Sequence, residues 1–441
     1  MQMTSGTDSY EVAIVGGGLA GLIAAAELAR VNRKVVLLER SNRFGGRGIT
    51  HEKNGALFNL GPHALYRGGE AYRILRDLGV TIDGAAPSAE GYGIWQGRLV
   101  PLPGDPMKLL RSKLLSWSGK LELGRFMTRL HKFDPAALPK MSLRQWAERE
   151  IRDPMVRHIF YALSRTGTYN KEIDHQLAGP ALLQVQRSMK GGVLYLHGGW
   201  QPLADQLRDL AVRAGATVLT GKAISGIAHD NGRVSGVQLK DGEMLSAAAV
   251  ISTLGPADTY RLVRGAERTS LQRWKDEARP IMAASLDLAL GRLPVPNRHF
   301  VIGLDQPVYF SHHSRVARLS DDGRLVMHLL KYNGAGDSDP HADERLLEET
   351  MTLIHPGWRQ EVVARQYLPN IAVSRDYMHV GRTGPLPGPA VPELPGLYVA
   401  GDWASHGEML VDAAAASAER AARQALDVLR TETGLAAFQP A

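Results

Sequence analysis

Gly16, Gly18 and Gly21 stand as G-x-G-x-x-G inside "EVAIVGGGLAGLIAAAELA", directly after an apolar β-favouring run and at the mouth of an alanine-rich helix. That context gives the spacing chemical meaning. The first glycine permits a tight turn, the second lets a pyrophosphate approach the backbone, and the third lets helix and strand pack closely. The helix N-terminus then turns free N–H groups and a partial positive charge toward the phosphates. Glu39 closes the next strand 23 residues after Gly16, where a carboxylate accepts hydrogen bonds from ribose hydroxyls and argues against a 2′-phosphate. Straight after it, "ERSNRFGGRGIT" sets out Gly45, Gly46 and the forked cation Arg47. A simple NAD site has no use for these three. A flavin dinucleotide does: the glycines give the backbone room to pass the cofactor, and Arg47 stays near the pyrophosphate or spans toward the flavin.

These groups need a βαβ unit to hold them. Residues 12–15 and 35–38 are continuous apolar runs, as in parallel strands buried on both faces, and the helix between carries Leu19, Leu22, Ile23, Ala26 and Leu28. From about Gly91 to Met189 the texture becomes helical, basic and aromatic-bearing, broken by "LPGDP" and "FDPAALP". "GGWQPLADQLRDLAVRAGATVLTGKAISGI" then returns a helix and a strand, and "HDNGRVSGVQLKDGEMLSAAAVIST" supplies two hairpin-like turns before another buried strand. A second mixed stretch runs to Arg382, and a proline-rich connector leads to "LYVAGDW" and a helix of alanine and serine. The expected fold is α/β: a Rossmann-type FAD-binding domain, a parallel sheet with a β-meander, assembled from residues 1–90, 190–254 and 383–441. A mixed α+β substrate domain from residues 91–189 and 255–382 is inserted into it.

Composition narrows the function classes. With 44% apolar and 22% charged residues over 441 positions, the chain is that of a folded globular protein. The net charge of +7 comes without a dense Lys/Arg block, so no nucleic-acid partner is expected. The absence of cysteine excludes disulfides, thiolate metal sites, thiol catalysis and a sulfur-linked cofactor, so FAD is expected to be non-covalent. His312 and His313 are adjacent, and strand neighbours point to opposite faces, which argues against a metal site. The polar leader and the lack of a bilayer-length apolar run give a cytoplasmic expectation. In "DPMKLLRSKLLSWSGKLELGRFMTRLHKF", Leu109, Leu110, Leu114, Trp117, Leu121, Phe126 and Leu130 alternate with Lys108, Arg111, Lys113, Lys120, Arg125, Arg129 and Lys132. Such a segment suits peripheral contact with the anionic inner face of a membrane, or else an amphipathic helix facing its own core.

"VAIVGGGLAGLIAAAELA", "ERSNRFGGRGIT", "FNLGPHAL" and "GLYVAGDWASHGEMLVDAAAASAERAA" together resemble the flavin-dependent amine oxidase and phytoene desaturase superfamily. The blocks keep that superfamily's order, and "RLPVPNRHFVIGLDQPVYFSHHS" and "HPGWRQEVV" are similar to its bacterial phytoene-dehydrogenase-like branch. The resemblance implies that Asp402, after Gly401, meets the FAD ribityl chain. It implies too that backbone N–H groups around Leu410 and Val411 face the flavin pyrimidine carbonyl, where negative charge develops on reduction. It places Ile224 beside the adenine, and Gly61, Pro62 and His63 near the flavin. His63 then reads either as a catalytic group or as a packed histidine.

The superfamily divides by what is oxidised. Aromatic cages frame the flavin in its amine oxidases, and here Leu410 stands where one cage tyrosine belongs. The strand "PIMAASLDLAL" lacks the lysine that holds a water near flavin N5 in many of them. The resemblance therefore implies removal of hydride from a small apolar substrate of isoprenoid or polyene type to flavin N5, with oxygen or a quinone as electron acceptor. An oxidising flavin, alignment and a dry tunnel suffice for this. Lys331 and His63 are the candidate bases, Lys331 reading more readily as a strand-end cation. The alternatives are a flavin amine oxidase, an FAD-dependent isomerase and a non-catalytic flavoprotein.

Overall fold

The computed structural model describes residues 9–88, 90–334 and 338–436. The polar leader lies mostly outside the described residues. The chain folds as an α/β protein on two seven-stranded sheets. In the first, the strands Thr217–Leu219, Val35–Leu38, Ser9–Val15 and Met244–Ser252 lie side by side and parallel, and Leu397–Val399 adds to Met244–Ser252 in the same sense. Arg233–Leu239 and Ile224–Asp230 continue antiparallel from Met244–Ser252 as a meander. The helices Leu19–Ala29, Gln201–Arg213 and Leu410–Ala436 pack with one face of this sheet in a core of buried alanine and leucine. Alanine matters here because side chains of one carbon let the two alanine-rich helices approach closely.

The second sheet runs in the order Val362–Ser374, Ile281–Leu290, Leu325–Asn333, Val308–His312, Phe300–Gly303, Tyr92–Trp95, Arg98–Pro101. Period-two alternation sorts its side chains. Leu286, Leu288, Met327 and Leu329 pack on one face with the helix Pro340–Ile354. Ala283, Leu330, Tyr309 and Tyr332 lie on the other, in the same core as the helices Trp117–Lys132, Leu143–Glu150, Pro154–Thr168 and Ala178–Gly191.

Two expectations need correction. Residues from Gly91 do not begin a helical region: Tyr92–Trp95 and Arg98–Pro101 form a hairpin on the second sheet. Its Gln96–Gly97 turn takes two positive φ values, 49° and 71°, and the turn rather than the flanking apolarity decides the local structure. The inserted domain also starts later than residue 255. Val263, Ala266, Leu271 and Trp274 are buried with Val250, Leu397 and Trp403 of the first sheet's core, so the chain leaves the first domain only near the strand Ile281–Leu290.

The basic segment divides between the two faces offered for it. Phe126 and Leu130 are buried in the core, whereas Met107, Leu110, Trp117 and Leu121 are 55%, 54%, 70% and 60% exposed. Among the described residues no helix is long and apolar enough to cross a membrane.

Asp412, in the first turn of Leu410–Ala436, is fully buried and accepts the Ala71 N–H (2.9 Å) at the start of the helix Glu70–Asp77. Burial pushes its carboxyl up to about 6, against the lowering by that hydrogen bond. A raised folded value means that the stability carried by the protonated form is complete below the unfolded value of about 4 and is lost as pH rises through about 6. Asp412→Asn removes this dependence. Its unfolding free energy in urea is expected to match the parent near pH 4 and to exceed it at pH 7.5, by roughly 3 kcal/mol at most.

Candidate functional site

A cavity of about 870 Å³ opens where the strands Ser9–Val15, Val35–Leu38 and Met244–Ser252 end, and it runs on to the second sheet. This is the carboxyl edge at which open α/β sheets bind ligands, and the volume suits a large one. Gly16, Gly18, Glu39, Gly45, Gly46, Arg47, Pro62, His63, Ile224, Gly401, Asp402, Leu410 and Val411 line it. Gly21 and Gly61 stand behind the wall. A β-carbon on Gly21 would fall 1.9 Å from the Gly16 carbonyl oxygen, so this glycine lets the helix start against the turn.

The two glycine loops lean on each other. Gly45 N–H donates to the Gly17 carbonyl (2.8 Å), and a β-carbon on Gly46 would sit 3.1 Å from the Gly18 α-carbon. Glu39 accepts the N–H of Gly17 (2.7 Å) and of Ser41 (2.8 Å). A carboxylate has about four acceptor positions, so it keeps capacity for two ribose hydroxyls. Thr253 completes the turn, its hydroxyl 2.9 Å from the carbonyls of both Val15 and Gly16.

At the other end, Arg47 and Asp402 meet across most of the sequence. Arg47 Nη1 donates to Asp402 Oδ2 (2.6 Å) and to the Val373 carbonyl (2.9 Å). Burial works against the Arg47 charge, but the carboxylate beside it prevails and holds the guanidinium above its ordinary value. The Arg375 N–H also reaches Asp402 Oδ2 (3.1 Å), while Oδ1 is buried with no hydrogen-bond partner among the described residues. The loop that carries Asp402 is pinned by Ser417, whose Oγ lies 2.9 Å from both the N–H and the carbonyl oxygen of Gly401. Leu410 opens the final helix at φ 56°. A branched side chain in the left-handed region costs about 1–3 kcal/mol and is held only by its surroundings.

His63 donates from Nδ1 to the Gly61 carbonyl (3.0 Å), since a carbonyl can only accept, and its ring lies 5.3 Å from that of Trp200. Burial lowers its proton affinity below the ordinary histidine value despite the favourable Gly61 carbonyl. Lys331 is not in the cavity. It alternates with Leu330, which lines the wall, and so points through the sheet to an ion pair with Asp343 on the helix Pro340–Ile354. The assignment of Lys331 as a base fails for that reason. Of the histidine pair, His312 meets His299 (Nδ1 to Nδ1, 3.1 Å) and His313 stacks on Tyr195 at 3.7 Å. Among the described residues no three His, Cys, Asp or Glu side chains are arranged to hold a metal.

Tyr169 and Trp200 also line the cavity, with Leu330, Ile371 and Val373, and sequence reasoning did not single them out. Tyr169 donates to the Pro62 carbonyl (2.9 Å) from the left-handed C-cap of the helix Pro154–Thr168. Its position depends on packing between distant segments, for which no local motif exists.

Glycines at a strand-to-helix turn, a strand-end acid with spare acceptors and a buried carboxylate oxygen without a partner among the described residues fit an adenine dinucleotide joined to a flavin. The class defined by this fold and site is an FAD-binding oxidoreductase. The chain belongs to the flavin containing amine oxidoreductase family, whose profile matches residues 19–426. It is similar to 4,4'-diaponeurosporene oxygenase of Staphylococcus aureus, 24% identical over 308 residues, or 61% of this chain and 60% of that protein. It is also similar to phytoene desaturase of Neurospora crassa, 27% identical over 289 residues, or 56% of this chain and 48% of that protein. The match thus spans about half to three fifths of these relatives. Among solved structures, an oxidoreductase from Methanosarcina mazei shares the fold with a TM-score of 0.76 at 20% identity, covering 92% of this chain and 98% of that one. A putrescine oxidase bound to putrescine does so at 0.71 and 16%, covering 96% and 99%.

Proposed function

We propose that this FAD-dependent oxidoreductase dehydrogenates an apolar chain of the isoprenoid or polyene class. The observation that carries the reading is the cavity wall beyond Asp402. Leu330, Ile371, Val373, Tyr169, Trp200 and Leu410 are apolar or aromatic, and the acids that line the cavity are Glu39, Asp258 and Asp402. The charge of Asp402 is matched by Arg47 and that of Asp258 by Arg261, and Glu39 belongs to the ribose end. An ammonium brought to that wall would lose its hydration without gaining a carboxylate. An alkyl chain would gain from burial at about 25 cal/mol per Å². The names of the Staphylococcus and Neurospora relatives support the same substrate class.

When bound, FAD supplies the acceptor for an electron pair and one of the two hydrogens lost as a C=C bond forms, and oxygen or a quinone then takes the electrons away. The residues Gly16 to Gly18, Glu39, Ile224, Arg47, Asp402, Leu410 and Val411 hold and orient it. His63, whose proton affinity burial lowers, faces the cavity and holds the second hydrogen as a proton on a ring nitrogen. Mass spectrometry after incubation with linear polyenes and with amines tests the reading. A polyene product lighter by two hydrogens supports it, and oxidation of amines alone overturns it.

The exposed Met107, Leu110, Trp117 and Leu121 stand among exposed cations, Arg111, Lys113 and Arg125. This combination supports docking on an anionic bilayer, from which an apolar substrate is drawn. Trp117→Ser with Leu121→Ser is expected to lower co-sedimentation with anionic vesicles at least about tenfold, given 1.5–3 kcal/mol for each large apolar side chain. Equal sedimentation of parent and variant would refute membrane docking.

A further inference from the structure

Behind His63 the second sheet carries a polar line that an apolar core does not require. Register places Gln366 opposite Asp287, Asp287 opposite His328, and His328 opposite Ser311, one residue from each of four neighbouring strands. Asp287 and His328 are completely buried and Ser311 nearly so. His328 Nδ1 donates to Asp287 Oδ1 (2.8 Å), and Gln366 donates to Asp287 Oδ2 (2.8 Å) while also reaching the Asn59 carbonyl (3.0 Å). Ser285 Oγ donates to the same Asp287 Oδ1 (2.8 Å) and lies directly beneath Gly61, where a β-carbon would come within 3.3 Å of it. Gly61 in turn holds His63. A contiguous path therefore runs from the cavity imidazole through Gly61 and Ser285 to a buried carboxylate and its imidazole.

Such a pair is poor evidence for stability, since well-packed apolar residues often serve a core as well or better. Its termini are also incomplete. His328 Nε2 and His313 Nε2 are buried without hydrogen-bond partners among the described residues, the two rings lying edge to face at 4.4 Å. Buried polar atoms left unpaired call for a reason, and one reason is electrostatic work at a neighbouring site.

We propose that Asp287 and His328 are positioning residues that act on His63 through Ser285 and Gly61. Its catalytic consequence rests on the dehydrogenase reading above, but the coupling itself does not. The groups around His63 act in opposing senses: burial lowers its proton affinity most, His328 lowers it too, and Asp287 and the carbonyls of Gly61 and Arg47 raise it. His313 is coupled to both His63 and His328, each disfavouring its charge. The Arg47–Asp402 ion pair faces the same cavity from the other side.

The test is a pH titration of histidine ring resonances in the FAD-loaded protein, with no substrate present. Asp287→Asn is expected to lower the His63 midpoint and His328→Gln to raise it, each by about half a pH unit or more. A structural role would not give opposite signs. Should either variant fail to fold, the other is read alone, and the sign expected of it still decides. Midpoints that stay unchanged, or that move the same way in both buried variants, would overturn the proposal. Failure to oxidise a polyene would leave these titrations untouched, so the two readings fall separately.

Discussion

Gly21→Ala is expected to lower FAD affinity at least about 100-fold, near 2.8 kcal/mol. The added methyl would lie 1.9 Å from the Gly16 carbonyl oxygen and 3.1 Å from its carbon. Both are backbone atoms at a turn that lines the cavity, so no side chain can swing aside. The helix Leu19–Ala29 must move from the strand, or the turn must open, and either displaces the N–H groups that a pyrophosphate needs. Fluorescence titration of the flavin-free protein with FAD measures it. Parent-like affinity would show that the helix start is not set by this contact.

Asp402→Ala has the second large effect, a loss of about 100-fold in FAD affinity with the fold retained. The substitution removes the acceptor of both Arg47 and the Arg375 N–H, and with it a buried carboxylate oxygen on the cavity wall that has no partner among the described residues. Hydrogen bonds to charged groups contribute about 1.5–3 kcal/mol, and leaving the partner cation unpaired adds to the cost. Arg47→Ala is expected to cost less, because Asp402 keeps the Arg375 N–H. Equal losses would mean that the ion pair, rather than the carboxylate, is what the cofactor meets.

Much of this site is legible in the chain because its parts are local. Gly16 to Gly21 and Glu39 belong to one βαβ unit, and Gly401 and Asp402 to one turn, so their spacing reflects the bonds they make. The Arg47–Asp402 pair joins residues 355 positions apart, and no short-range pattern reports it. Lys331 shows a different limit. Its charge drew it toward chemistry, yet the alternation of "LVMHLLKYN" already puts it on the face of Met327 and Leu329, opposite His328 and Leu330. The same parity in "IMAASLDLAL" sets Ser285 and Asp287 apart from Leu286 and Leu288. A charged residue at an inward strand position is thus a readable sign, although its meaning depends on three neighbouring strands. Residues 256–277 hold short helices that pack in the first sheet's core, a placement that no local pattern in their sequence reports.

The measurement that bears most directly on the central claim is the visible absorption of the bound flavin during anaerobic addition of linear polyenes and, separately, of amines. Loss of the oxidised-flavin bands with a polyene and not with an amine is the expected result. Bleaching by an amine, with polyenes without effect, would contradict an apolar substrate and return the cavity beyond Asp402 to amine chemistry.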